Sequence, residues 1–162
     1  MQHRGDVLER TWTGRRRADQ SIFDGIQEDA GARMVTFRGG AAHAVRAPGS
    51  HTFKAVEHFG AVMLAPSPGI RVSLGNDEVH DYDGDTGMIV VIPANIEASV
   101  TWSSAMECMI VALTADSLLD LAVREFGTGR TELQPPPLGT VDLQALQLAQ
   151  LLKVELTERE TP

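Results

Sequence analysis

The chain has 162 residues, of which 43% are hydrophobic, 22% charged and 5% aromatic. That suits a single domain of about 100–200 residues with one core. The formal charge of −8, from 14 Lys and Arg against 22 Asp and Glu, argues against polyanion binding, which needs clustered cations on phosphates. Cys108 is the only cysteine, so an intramolecular disulfide is excluded and a reducing compartment fits. Met1–Arg10 lacks the apolar run of a signal peptide. Met88–Pro93, the longest apolar stretch, is far short of the roughly 20 residues that span a bilayer. The expectation is a cytoplasmic protein with no membrane contact.

Breakers are dense up to about residue 105, with short apolar runs between them. The runs predict strands at Val7–Thr13, Ala32–Phe37, Thr52–Phe59, Ala61–Ala65, Ile70–Leu74, Val79–Tyr82, Met88–Ile92, Glu97–Trp102 and Met106–Leu113. Gly39-Gly40, Pro66 to Gly69, Gly84-Asp85 and Pro93 to Asn95 read as turns between them. Short strands at close spacing argue for an antiparallel sandwich or barrel. Gly14–Ala30 is rich in charge and lacks apolar periodicity, so it reads as a disordered loop, and Arg15-Arg16-Arg17 within it as a solvated run.

The pattern changes after Leu113. Thr114 and Asp116 open a helix with Leu118, Leu121, Ala122 and Phe126 at helical spacing, and Gly127 stops it. Gly127–Gly139, with Pro135-Pro136-Pro137, is a connector. A second helix is predicted over Val141–Glu158 with Thr140 as N-cap. Val141, Ala145, Leu148, Leu152 and Leu156 form one apolar row, and Leu143, Leu146 and Val154, with Gln150 among them, lie opposite. A helix apolar on both sides needs two partners. The division expected is 1–113 for the strands and 114–162 for the helices.

Chemical motifs are sparse. The acids of Asp81, Asp83 and Asp85 fail the calcium-loop pattern, because Gly87 is misplaced and Ile92 stands where a bidentate glutamate is needed. His3, His43, His51, His58 and His80 form no His-x-His or His-x-x-x-His pair. Nucleophile elbows, phosphate loops and dinucleotide fingerprints do not occur. Cys108 lies mid-strand between Met106 and Ile110, as a buried, inert thiol would. No catalytic or metal-ligating set is expected from these residues, and no cofactor.

Gly84-Asp85, Gly87, Pro93-Ala94-Asn95 and Trp102, with the Met106–Leu113 strand after them, resemble the glycine-aspartate to tryptophan segment of cupin barrels in AraC-type transcriptional regulators. The helix at Leu118–Phe126, the connector, and Leu152-Lys153-Val154-Glu155-Leu156 are similar to the next elements in that family's chain order. Ile70–Gly75 is similar to the strand and turn that the family places before the glycine-aspartate turn. Enzymatic cupins carry a glycine and a metal-binding histidine where this chain has Asn95 and Ala98, and they carry a His-x-His that is absent here. The resemblance implies a mainly β fold, a cupin-type antiparallel β-barrel (jelly roll) followed by two C-terminal α-helices. It implies a non-enzymatic effector-binding and dimerisation domain, a homodimer that meets DNA only through helix-turn-helix motifs beyond Pro162. Glu57, His58, Arg71 and Trp102 are the candidate contacts to a small-molecule effector, and Leu143, Leu146, Gln150 and Val154 to a second subunit. Two other readings stay open: a metal-dependent cupin enzyme using His51, His58, Glu97 or Asp85, and a stand-alone metabolite-binding cupin.

Overall fold

Side chains of successive strand residues point to opposite faces, so each strand sorts its residues between inside and outside. The computed structural model describes residue 23 and residues 31–76, 78–130 and 132–160. The strand expected at Val7–Thr13 and nearly all of Gly14–Ala30 lie outside the described residues. The strands are β1 (Arg33–Thr36), β2 (Gly39–Arg46), β3 (Gly49–Lys54), β4 (His58–Met63), β5 (Ser67–Leu74), β6 (His80–Gly84), β7 (Ile89–Ile92), β8 (Glu97–Trp102) and β9 (Met106–Leu113). They form two antiparallel sheets, ordered β1-β2-β9-β4-β7 and β3-β8-β5-β6. The pairings nest: β5 with β6, β4 with β7, β3 with β8, and β2 with β9. Nested antiparallel pairs are a long hairpin rolled over on itself, which is the jelly roll; β1 is an added edge strand on β2.

Several expected boundaries move, each for a physical reason. Gly39-Gly40 is not a turn but the start of β2, whose alternation is carried by alanines too small to register as an apolar pattern. Gly39 permits close approach to β9, since a Cβ there would lie 2.1 Å from the Ala112 carbonyl oxygen. The single strand expected at Thr52–Phe59 is two strands, because the chain crosses between sheets at Ala55–Glu57, where the Ala55 carbonyl accepts the Asn95 N–H at 2.7 Å. The Pro66–Gly69 turn is the irregular start of β5, with a register shift between Ser67 and Ile70 that accommodates Pro68. Asn95 has φ of 64°, alone among the described non-glycine residues in being positive. It stands where the cupin pattern has glycine, and asparagine tolerates that conformation.

Helix α1 (Ala115–Phe126) begins where expected: the Thr114 side chain accepts the Ser117 N–H, and Gly127 ends the helix in the left-handed region at φ 66°. Its expected apolar face is only partly used. Ala122 is buried, Leu118 half-buried, Leu121 exposed, and Phe126 is 80% exposed, because the helix touches the body of the protein by one narrow strip. Helix α2 (Leu143–Glu160) starts later than expected. The Asp142 carboxylate accepts the Gln144 and Ala145 N–H groups at 3.0 and 2.9 Å, so Asp142 is the N-cap. Thr140 instead donates its hydroxyl to the Pro137 carbonyl. Among the described residues no helix is long and apolar enough to cross a membrane.

Two apolar layers result. One fills the barrel, built on Ala42, Ala44, Ile70, Trp102, Cys108 and Ile110. The other lies between the outer face of the five-stranded sheet and α2, where Ala41 and Met109 meet Ala149 and Leu156. A polar clasp closes this second layer: Lys153 Nζ donates to Glu107 Oε1 at 2.7 Å, and His43 Nε2 lies 2.9 Å from the same oxygen. The Lys153 hydrogen bond first, then that of His43, holds the Glu107 carboxyl below the usual glutamate range. A carboxyl whose pKa is lower folded than unfolded stabilises fully above its unfolded value, and loses that contribution as pH falls through the folded one. Glu107→Gln is therefore expected to lose stability at neutral pH and to converge on wild type as the pH drops below the carboxylate range. Urea midpoints measured at several pH values check this; parallel curves over the whole range would contradict it.

Candidate ligand cavity

The barrel interior is not completely filled. A cavity of about 70 Å³ remains between the sheets, room for roughly five waters. Strand parity decides what lines it. Arg46 ends β2 in phase with the inward Ala42 and Ala44; His51 and Phe53 are the inward residues of β3; Phe59 and Met63 come from β4, Tyr82 from β6, Trp102 from β8 and Cys108 from β9. Register sets Gly49, Trp102, Ile70 and Tyr82 in one row across the four-stranded sheet. Trp102 and Arg46 therefore share one end of the cavity with the β2–β3 turn. There Trp102 Nε1 donates to the Ala47 carbonyl at 2.6 Å, and the Arg46 guanidinium carbon sits 4.4 Å from the Trp102 ring centroid. The indole is thus pinned by its edge and covered by a cation on its face.

The walls are mainly apolar, and burial marks each polar group on them. It lowers the Arg46 pKa from its ordinary value, although a guanidinium stays cationic at any working pH. Burial, and then the Arg46 charge, lowers the His51 pKa, so this imidazole is neutral at pH 7 and can both donate and accept. Burial raises the Tyr82 hydroxyl to about 12 and the Cys108 thiol to about 12. His51 also packs against Phe53, ring centroids 4.9 Å apart.

Of the residues expected to meet an effector, Trp102 lines the cavity and the other three do not. His58 lies on the outer face of β4, where its Nδ1 accepts the Ala94 N–H at 3.0 Å. Arg71 is outward on β5 and paired with Asp81 at 2.7 Å. Glu57 sits in the crossing between the sheets, outside the cavity wall. The residues of the metal-site alternative are likewise scattered: His51 inward, His58 outward, Glu97 and Asp85 exposed. Among the described residues no three His, Cys, Asp or Glu side chains group as a metal site. Sequence reasoning misses Arg46 and Tyr82 as wall residues; the signal that could have found them is the parity of β2 and β6.

On α2, Leu143, Val154 and Gln150 are exposed, but Leu146 is not on their face. Leu146 packs toward Gly87, where an added Cβ would meet its Cδ2 at 3.5 Å. Starting the helix at Leu143 puts Leu146 near Lys153 and Ala149, on the barrel side. Leu148, expected inward, is 65% exposed, beside Leu151 at 61%.

No family model and no curated protein matches the chain. Among solved structures it is similar to an RmlC-like cupin family protein with a double-stranded β-helix fold from Methanocaldococcus jannaschii, at 17% identity over 59% of this chain and 92% of that one, TM-score 0.43. It is similar also to a cupin superfamily protein from Desulfitobacterium hafniense, at 12% identity over 51% and 73%, TM-score 0.43. A cupin domain from Schizosaccharomyces pombe stands at 13% identity over 61% and 71%, TM-score 0.43. The fold assignment itself rests on the nested strand pairing.

The cavity wall yields a chemical test. A thiol pushed up to about 12 by burial has almost no thiolate at pH 8. Native protein at pH 8 is expected to leave Cys108 unmodified by iodoacetamide, with full labelling only in denaturant, as read by intact mass. Native labelling at the rate of a free thiol would contradict the burial.

Proposed function

We propose that this chain is the ligand-sensing and dimerising domain of an AraC-type transcriptional regulator of the cytoplasm, with DNA contacted through separate helix-turn-helix motifs. The observation that carries this reading is the cavity. Its polar wall groups are an arginine, a neutral histidine, a tyrosine hydroxyl and an inert thiol, a set suited to holding a small molecule and lacking an activated nucleophile. We read the protein as a binder rather than an enzyme.

The dimer is read from α2. Its outer face carries Leu143, Leu148, Leu151 and Val154, 71, 65, 61 and 53% exposed, and on a wheel of about 100° per residue they share one side. A second copy of the same helix covers such a face with a matching one. Its inner face rests on β2 and β4, the strands whose opposite sides line the cavity. A ligand that prefers one packing of the barrel thereby biases the seating of α2, and with it the pairing of two subunits.

Two measurements test the reading together. Light scattering is expected to give a dimer for wild type and a monomer for Leu151→Asp/Val154→Asp with unchanged circular dichroism. A metabolite screen by thermal unfolding is expected to find a stabilising ligand, adding about 2.7 kcal/mol at a hundred times its Kd. A ligand found on a monomeric wild type would make this a stand-alone metabolite-binding domain. Stoichiometric bound metal held by His51 would make it a cupin enzyme. A monomer without ligand or metal would end the proposal.

A further inference from the structure

Resting on the reading of the cavity as a ligand site, we propose that its ligand is a small organic monocarboxylate, an acid with a short apolar aliphatic body, gripped by Arg46. Among the described residues Arg46 is the only charged side chain on the cavity wall, in a chain whose formal charge is −8. Among the same residues no carboxylate pairs with it; its close contact is the Trp102 ring, 4.4 Å from the guanidinium carbon. Among the described residues the Arg46 guanidinium has no hydrogen-bond partner, and its N–H fork matches the two oxygens of a carboxylate. A half-buried cation without an anionic partner is costly to keep, and an incoming carboxylate removes that cost.

The rest of the wall sets the body of the ligand. Phe53, Phe59, Tyr82 and Trp102, with the aliphatic side chains between them, offer rings and methyls. His51 and the Tyr82 hydroxyl are the remaining strong hydrogen-bonding groups. A sugar would bring five or so hydroxyls to two or three partners and leave the others buried and unpaired, which weighs against it. A dianionic phosphate would place a second charge with no second cation to meet it. One charge, an apolar body and a cavity of about 70 Å³ leave the compact monocarboxylates.

Calorimetric titration of the full chain with matched pairs that fit the cavity tests this: acetate against acetamide, and propanoate against propanamide, with glycerol as the polyol probe. At least one acid is expected to bind saturably, and its amide about tenfold to about a hundredfold more weakly, the worth of a hydrogen bond to a charged group. Arg46→Met is expected to weaken the acid by a similar factor and leave the amide unchanged, with Arg46→Lys between the two. Should Arg46→Met not fold, the acid-to-amide ratio on wild type decides alone. An amide or glycerol binding as tightly as the acids would overturn the inference while keeping the cavity as a ligand site. Silence from all five probes would overturn both.

Discussion

Strand β9 is the wall shared by both halves of the molecule, and the pleat is what lets it serve them. Cys108, Ile110 and Ala112 face the barrel interior, while Glu107 and Met109 face α2. Its neighbours β2 and β4 divide their residues in the same way, with Ala42 and Ala44 against Ala41, and Met63 against Val62. Adjacent residues of one strand therefore belong to opposite layers. Interiors packed this densely yield little, so a side chain displaced in the cavity is felt one residue away beneath the helix. The Lys153–Glu107–His43 clasp adds direction to that contact, fixing where along the sheet α2 sits. Remove the alternation and neither cavity nor helix seat survives, because a one-residue slip exchanges the two layers.

The electrostatics of the barrel run against those of the surface. Over the whole sequence acids outnumber bases; on the cavity wall, among the described residues, one half-buried cation stands against an aromatic ring. Partial burial weakens the hydration of such a charge and favours an anionic partner. Burial first, and then this charge, lower the pKa of the neighbouring His51 imidazole. Under the proposed reading, a ligand is chosen by charge first and shape second, with the rings of Phe53, Phe59 and Trp102 supplying the shape.

Much of the architecture is legible in the sequence, and the reason differs by element. β8, β9 and α1 lie within a residue of their expected positions, because Ala98, Val100 and Trp102 alternate cleanly and because Thr114 and Gly127 are strong helix punctuation. β2 is hidden since its inward residues are alanines and its first residues are glycines needed for close approach. The candidate site is less legible. His58, Arg71 and Trp102 all lie on strands, but parity alone assigns no inside until pairing is known, and only Trp102 faces the cavity. Arg46 carries no signal until β2 is known to be a strand. For α2 the difficulty is the helix itself: apolar residues surround it, so the position of the barrel, through Leu146 and Ala149, is what separates inner from outer face.

Methionine methyl groups report on this arrangement from within. With ¹³C-methyl-labelled methionine, Met63, Met88 and Met106 sit on the cavity wall, and Met34 lies on the exposed edge strand β1. NMR titration with a ligand that stabilises the protein is expected to shift the three wall resonances more than that of Met34, whose sulfur lies 3.6 Å from Arg159 of α2. A stabilising ligand that moves Met34 and leaves the wall methyls untouched would show that the barrel interior is not where this protein binds.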